Sequence, residues 1–534
     1  MTAGEAVSTP RILTTQAEDA YSYPLLLRHL LANVAQQTTA KIVSGRRRLT
    51  YDDLIDRVTR LATLLAERGV RAGDTVAVMD WDSHRYLECY FAIPMMGAVL
   101  QTVNVRLSPA QIEYTLRESG AVFVLYHSDF APLLDAIRPN LPAVRGAVSM
   151  EEGTTADSYE ALIAATAPSF RFEDFDENAI ATTFHTTGTT GNPKQVFFSH
   201  RQLVLHTLAL AATLANQPDG QGLRRGDVYM PMTPMFHVHA WGLPFVATML
   251  GLKQVYPGRY DPNLLLALKQ REGVNFSHCV PTILRMLLDA RDGEQSLDPW
   301  TVIIGGSALP QPLAEEAARA GVSTLAGFGM SETGPVVALA RSPGGGTAEL
   351  CRAGFPIPLV HAQVDAARGG ELLLRAPWLT QGYGAQAASD ELWARGWLHT
   401  GDVAAMDDDG AIRIVDRLKD VIKTGGEWVS SIAIEELLMA LPSVAEAAVI
   451  GVPDGKWGER PVAFVVAANG YTPSAELLRE GLMCHVDAGH LSRYAVPERV
   501  LVLEGLPRTS VGKIDKKALR ARLATDAATG EADA

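Results

Sequence analysis

Residues 186 to 194 read Thr186-Thr187-Gly188-Thr189-Thr190-Gly191-Asn192-Pro193-Lys194, which sets four hydroxyls and a lysine around two glycines. Glycine reaches backbone dihedrals that other residues avoid, so such a loop can turn its N–H groups inward as a nest for an anion. Threonine hydroxyls can donate to phosphate oxygens, and a lysine supplies a mobile point charge. The pattern is not a Walker A loop, in which Gly precedes the Lys and Ser or Thr follows it. Here Pro193 precedes Lys194 and Gln195 follows. Standing alone, the segment reads better as a solvated turn rich in Gly and Thr.

A phosphate loop needs a scaffold, and the flanking sequence supplies one. Short β-rich runs at Asp74–Met79, Ala121–Tyr126, Asp227–Met232, Lys253–Tyr256, Asn275–Val280, Thr301–Ile304 and Val322–Leu325 alternate with helical patterns at Arg85–Met96, Pro281–Ala290 and Leu313–Ala320. This alternation predicts crossover units and mainly parallel sheets covered by helices. After Gly369 the pattern changes. Glu371–Arg375, Val403–Met406 and Ala411–Val415 are short strands with turn residues between them, which predicts a small antiparallel unit. A last α+β module follows, with a helix at Ile434–Ala440, strands near Ala447–Val452 and Val462–Ala467, and a helix starting at Pro473 under a Thr472 cap. The expected division is a large α/β domain over residues 1–416 and a smaller, mobile domain over 417–534. The acidic tail from about Ala524 reads as disordered.

At 534 residues the chain exceeds what one hydrophobic core supports. A hydrophobic fraction of 47% with 20% charged residues is that of an ordinary globular protein. A net charge of −13 argues against a nucleic-acid-binding face. Cys89, Cys279, Cys351 and Cys484 are scattered and form no CxxC pair, which argues against disulfides and zinc and for a reducing compartment. The first twenty residues lack the basic start and apolar run of a signal peptide, and the apolar stretch near Leu203–Leu214 is too short to span a bilayer. A cytoplasmic location is expected.

Further segments carry chemistry: Pro234-Met235-Phe236-His237 after a strand, Gly305-Gly306-Ser307-Ala308-Leu309-Pro310 and Gly327-Phe328-Gly329-Met330-Ser331-Glu332-Thr333 at the ends of two others, and Trp397-Leu398-His399-Thr400-Gly401-Asp402 before the expected boundary. Asp416-Arg417-Leu418-Lys419-Asp420-Val421-Ile422-Lys423-Thr424-Gly425-Gly426-Glu427 crosses it, and Leu506-Pro507-Arg508-Thr509-Ser510-Val511-Gly512-Lys513 comes near the end. Each is weak alone. Together, over residues 45–520, they resemble the adenylate-forming enzymes in order and spacing. HVHAWGLPF, GFGMSETGPV and TGGEWVSS look most like AMP-forming fatty acyl-CoA synthetases and methylmercaptopropionate-CoA ligases.

The resemblance implies a reaction and a set of roles. A carboxylate is a poor electrophile, and joining it to AMP gives it a leaving group that a thiol can displace. Bringing carboxylate to triphosphate makes catalysis largely a matter of neutralising and positioning charge. Thr186, Thr187, Gly188, Thr189, Thr190 and Lys194 would hold the β- and γ-phosphates, Glu332 would hold Mg²⁺, and Lys513 would bridge carboxylate and α-phosphate. Gly305, Gly306, Ser307, Gly327, Phe328, Gly329, Met330 and Ser331 would enclose the nucleotide, with Phe328 stacked on adenine. Asp402 would accept from the ribose hydroxyls and Arg417 would meet ribose or phosphate. His237, Trp241, Gly305 and Pro335 would line the acyl site. Lys419 would be the hinge on which the last domain swings Lys513 out and Lys423, Gly425 and Gly426 in for thioester formation. Arg417, Lys419, Lys423, Lys513, Lys516, Lys517 and Arg520 would help admit anionic CoA. The partners implied are a carboxylic acid, ATP and CoA, with a homodimer left open.

Competing readings attach to single residues. Asp402 could be a turn residue after Gly401, Glu332 a helix-capping carboxylate, Lys513 a solvated loop lysine and Trp241 plain core packing. His237 and His239 lack a nearby third ligand for zinc. Gln195, Phe328 and Ser331 stand where the family more often has Gly, Tyr and Thr; none removes a charge the mechanism needs. The reading is therefore an AMP-forming carboxylate–CoA ligase for a medium- or long-chain fatty acid. Alternatives are a small or aromatic acid, a carrier protein as acceptor, or a degenerate ATP-binding regulator without turnover.

Overall fold

The structure is a computed structural model, and it describes residues 17, 19–34, 41–151, 156–186, 192–218, 220–293, 295–342, 346–384, 386–468, 470–489, 491–509 and 512–529. Two large sheets form the body. In the first, Gly146–Ser149, Ala121–Tyr126, Thr75–Met79, Val99–Thr102 and Ile180–Thr186 run parallel, and Lys194–Ser199 closes the edge antiparallel to Ile180–Thr186. In the second, Val322–Gly329, Trp300–Ile304, Phe276–Cys279, Val228–Pro231, Lys253–Tyr256 and Ile42–Ser44 run parallel, flanked by antiparallel edge strands. Every residue of Thr75–Met79 and of Trp300–Ile304 is buried, as expected of parallel strands covered on both faces. The helix His84–Met95 is wholly buried; it starts where the Ser83 hydroxyl accepts the Tyr86 N–H at 3.1 Å.

The predicted antiparallel unit is present: His361–Asp365, Glu371–Arg375, Trp397–Met406 and Ile412–Arg417 form a meander. Arg417 is its last residue. The next strand, Ile422–Thr424, belongs to another sheet, with Glu427–Val429, Val444–Asp454, Gly458–Ala467 and Arg499–Leu503. That sheet packs its own apolar cluster against the helices Ser431–Met439 and Ala475–Asp487.

Some boundaries differ from the sequence reading. The helix expected at Pro473 starts at Ala475, because the Ser474 hydroxyl takes the Leu477 N–H at 3.2 Å and displaces Thr472 as the cap. The helix Lys516–Thr529 runs past Ala524, where the acidic composition suggested disorder; residues 530–534 lie outside the described residues. No described helix is long and apolar enough to cross a membrane.

Candidate functional site

Trp300–Ile304 and Val322–Gly329 lie side by side with Ile304 opposite Ala326, so their carboxyl ends, and the glycine-rich segments that follow, meet at one edge of the sheet. Ligands of open α/β sheets bind at that edge. A cleft of about 410 Å³ opens there, lined by His237, Val238, Trp241, Gly305, Gly306, Gly327, Phe328, Gly329, Met330, Ser331, Pro335, Val336 and Lys513. Residues from four separated segments of the sequence thus share one wall.

The glycines are there because the approach is close. A Cβ on Gly305 would stand 2.8 Å from the Gly327 carbonyl and 3.0 Å from Trp241 Cη2. Gly306 has a φ of +81°, and a Cβ on it would press on Val280 and on Lys513 Cε at 3.3 Å. On Gly329 a Cβ would run into the Pro335 carbonyl. These positions are glycine because neighbouring backbone and side chains come too close for a Cβ.

Charged groups from separate segments gather beside the cleft; Lys513 is in its lining, while Asp402, Arg417 and Glu332 stand outside it. Asp402 and Arg417 are cross-strand partners on the meander, and Arg417 Nε lies 3.3 Å from Asp402 Oδ1. Burial pushes the Asp402 carboxyl up, against the pull of Arg417 and Lys513. Lys513 follows Gly512, and its N–H donates to Thr509 Oγ1 at 3.2 Å. Burial lowers its ammonium to about 8, with Arg417 adding to the shift and Asp402 and Glu332 opposing it. Glu332 is buried in the short turn Ser331–Thr333, and its Oε1 accepts the Tyr383 hydroxyl at 2.5 Å. Lys194 Nζ sits 4.7 Å from the centre of the Tyr383 ring. Tyr383 therefore lies against both Lys194 and Glu332. The sequence reading missed it, since Gln381-Gly382-Tyr383-Gly384 carries no spacing specific to any chemistry.

The opposite side is apolar and built on unusual backbone. Val238, His239, Ala240 and Trp241 have φ values of 46°, 54°, 46° and 60°, a left-handed turn of four non-glycine residues. Such backbone is costly and persists only where its surroundings fix it. The preceding Pro234–His237 segment is held by three groups of the six-stranded-sheet side: Asp82 Oδ1 accepts the Met235 N–H at 2.9 Å, Thr102 donates to the Phe236 carbonyl at 3.0 Å, and Tyr90 donates to the Met235 carbonyl. His237 is lowered to about 3 by burial and then by the Lys513 and Arg106 charges. Trp241, 6% exposed, packs on His278 with ring centres 4.9 Å apart. His239 points elsewhere, among Tyr90, Phe184, Phe198 and Phe245, and neither of its ring nitrogens has a hydrogen-bond partner among the described residues. No group of three or more His, Cys, Asp or Glu side chains placed to hold a metal ion is found among the described residues.

Not every expected residue is in the cleft. Ser307 is exposed and outside its lining. Lys423, Gly425 and Gly426 lie on the hairpin Ile422–Thr424/Glu427–Val429, where Lys423 Nζ stacks 4.9 Å over Trp428. Lys419 is exposed in the segment between the two sheets, and partial desolvation together with the Arg417 charge lowers its ammonium. Thr187, Gly188, Thr189 and Thr190 lie outside the described residues; Thr186 and Lys194 are cross-strand partners. Gln195 turns its amide into the sheet, donating to Thr183 at 3.1 Å, so its side chain does not occupy the loop. The basic cluster is partly neutralised: Lys516 pairs with Glu435 and Arg520 with Asp420, each at 2.7 Å.

Comparison with known proteins gives this arrangement its class. The model of the AMP-binding enzyme family matches residues 31–384, and that of its C-terminal domain matches residues 433–513. The chain belongs to the AMP-binding enzyme family and, within it, to the AMP-forming acyl-CoA ligases. It is 41% identical to a long-chain-fatty-acid–CoA ligase of Thermus thermophilus, over 91% of this chain and 92% of that protein. It is 35% identical to a 3-methylmercaptopropionyl-CoA ligase of Ruegeria pomeroyi, over 93% and 97%. Among solved structures, the anthranilate CoA ligase AuaEII in complex with anthranoyl-AMP superposes with a TM-score of 0.85 at 25% identity, covering 94% of this chain and 99% of that one.

Proposed function

We propose that the protein activates a medium- or long-chain fatty acid with ATP and transfers the acyl group to CoA, using the residues gathered at this cleft. The observation that carries the reading is the convergence of Lys513, Asp402 and Glu332 beside the glycine-rich segments, with His237 and Trp241 across from them. In the first step a carboxylate oxygen attacks the α-phosphorus and the bond to pyrophosphate breaks, leaving acyl-AMP. Lys513 neutralises the two anions as they meet, and its burial makes that charge count for more than it would in water. Gly305, Gly306 and Phe328 enclose the base, Asp402 and Arg417 orient the ribose, and Thr186–Lys194 holds the outer phosphates. Glu332 offers a hard oxygen suited to Mg²⁺, which when bound supplies further neutralisation of the phosphate oxygens. In the second step a thiolate attacks the acyl carbon and AMP leaves. Lys423–Gly426 serves this step after the C-terminal module pivots at Lys419, in keeping with the hairpin's position away from the cleft.

The closeness of Trp241 to Gly305, where a Cβ would stand 3.0 Å from the indole, favours a second reading, a short or aromatic acid, if the acyl chain passes between them. A panel of acids from propionate to palmitate, with benzoate, distinguishes the two when pyrophosphate release and then CoA-dependent AMP release are followed. Medium- and long-chain acids are expected to give the highest kcat/KM. Turnover confined to short or aromatic acids overturns the fatty-acid assignment, and pyrophosphate release without CoA-dependent AMP release overturns CoA as acceptor.

A further inference from the structure

Lys513 reaches the cleft beside Gly512, and among the described residues both are bonded to Thr509. The Thr509 N–H donates to the Lys513 carbonyl at 2.7 Å, the Gly512 N–H to the Thr509 carbonyl at 2.9 Å, and the Lys513 N–H to Thr509 Oγ1 at 3.2 Å. These bonds hold the described residues to one another but do not aim them. Two side chains tie them to the rest of the molecule: Thr282 Oγ1 donates to the Gly512 carbonyl at the long distance of 3.5 Å, and Arg508 holds them more closely. Its Nη1 donates to the Gly512 carbonyl at 3.1 Å and to Thr282 Oγ1 at 2.6 Å, while Nη2 pairs with Glu446. Glu446 is on strand Val444–Asp454 of the C-terminal sheet. Thr282 opens the helix Pro281–Ala290 of the large unit, just beyond the strand Phe276–Cys279. One guanidinium thus grips its own module, the residue before Lys513 and the opposite unit at once. A planar fork with five donors can do this, whereas an ammonium cannot aim at three acceptors so placed.

We propose that Arg508 is a positioning residue for the adenylation step: docked on Thr282, it holds the C-terminal module in the orientation that delivers Lys513. The role rests on the two-step reading above, because a module that does not pivot needs no such latch. Arg508 is outside the cleft lining and touches no reacting atom. The plain alternative is a surface ion pair with Glu446, of the kind that contributes little; the side chains are 28% and 27% exposed. That alternative has no use for the Thr282 bond and predicts no difference between the two half-reactions.

The half-reactions are measured separately on the full chain, as pyrophosphate formed in a single turnover with decanoate and ATP, and as AMP released from supplied decanoyl-AMP by CoA. Arg508→Ala and Thr282→Val should each slow the first roughly tenfold and leave the second within about twofold, since a lost charge-assisted bond is worth about that factor. Arg508→Lys should not restore the first. Equal losses in both half-reactions, or no loss in either, overturn the proposal, and Thr282→Val decides the matter alone if Arg508→Ala does not fold. Parent protein that forms no pyrophosphate with any acid refutes the ligase reading itself, an outcome separate from failure of the latch.

Discussion

Beside the cleft the half-buried Lys513 sits within electrostatic reach of the buried Asp402 and Glu332; across from it, His237, Val238 and Trp241 present a neutral ring, an alkyl group and an indole. The first side is ordinary backbone bearing costly side chains. The second is costly backbone, the left-handed run Val238–Trp241, bearing ordinary side chains. The energy of each lies in a different place. A buried charge persists because neighbouring charges and incoming anions compensate it, whereas strained backbone persists because Asp82, Thr102 and Tyr90 clamp the segment before it. Substitutions on the charged side should therefore change rate, and those on the apolar side should change which acid is accepted.

The largest effect is expected at Lys513. Lys513→Ala removes the cation that meets both reactants and should lower acyl-AMP formation by ~30- to 1000-fold, the range for ~2–4 kcal/mol of transition-state stabilisation. Thioester formation from supplied acyl-AMP should be nearly unchanged. Measuring the two half-reactions side by side tests this, and an equal fall in both would make Lys513 a structural residue and erase the contrast between the walls.

The same lysine sets a pH dependence. Its ammonium, lowered to about 8, is charged below that pH and neutral above it. The kcat/KM of the first half-reaction reports the free enzyme, so it should be flat through neutrality and fall as pH rises through 8, by about tenfold per unit. His237, lowered to about 3, stays neutral over the whole range and should add no step near the usual imidazole value. Lys513→Arg should remain flat to pH 10 at whatever activity it retains. A step near pH 6.5 that His237→Asn abolishes would mean that the apolar wall carries a working charge after all.

The sequence was informative about one wall and nearly silent about the other, for a physical reason. Lys513, Asp402, Glu332 and the paired glycines are residue types whose chemistry is visible without coordinates, and the parallel strands that bring them together have continuous apolar runs. Ala121–Tyr126, Lys253–Tyr256 and Pro281–Ala290 were legible to the residue. Nothing in Val238-His239-Ala240-Trp241 announces positive φ, because those residues rarely adopt it and tertiary clamps impose it. Tyr383 was missed for a related reason: its importance is its contact with Glu332 and Lys194, fifty-one residues from one and far from the other in sequence. The Thr472 cap failed on a narrower point, since two hydroxyl residues flank Pro473 and only geometry decides which one faces the Leu477 N–H.

The smallest effect is expected at Trp241, and it tests the apolar wall alone. The indole fills the space against Gly305 and rests on His278, so Trp241→Ala should open depth for longer acids while loosening the grip on short ones. Each added methylene in an apolar pocket is worth about 1 kcal/mol, and the preference should therefore move roughly tenfold or more over a few carbons. ATP affinity should hardly change, because an uncharged ring on the acyl side contributes nothing to the phosphates. The measurement is kcat/KM from propionate to palmitate for parent and variant, with ATP titrated in parallel. Crossing profiles would establish that this wall selects the acid. Parallel profiles, with every acid lowered by one factor, would mean that Trp241 is core packing, that the left-handed turn supports the fold rather than the choice of substrate, and that chain length is read elsewhere.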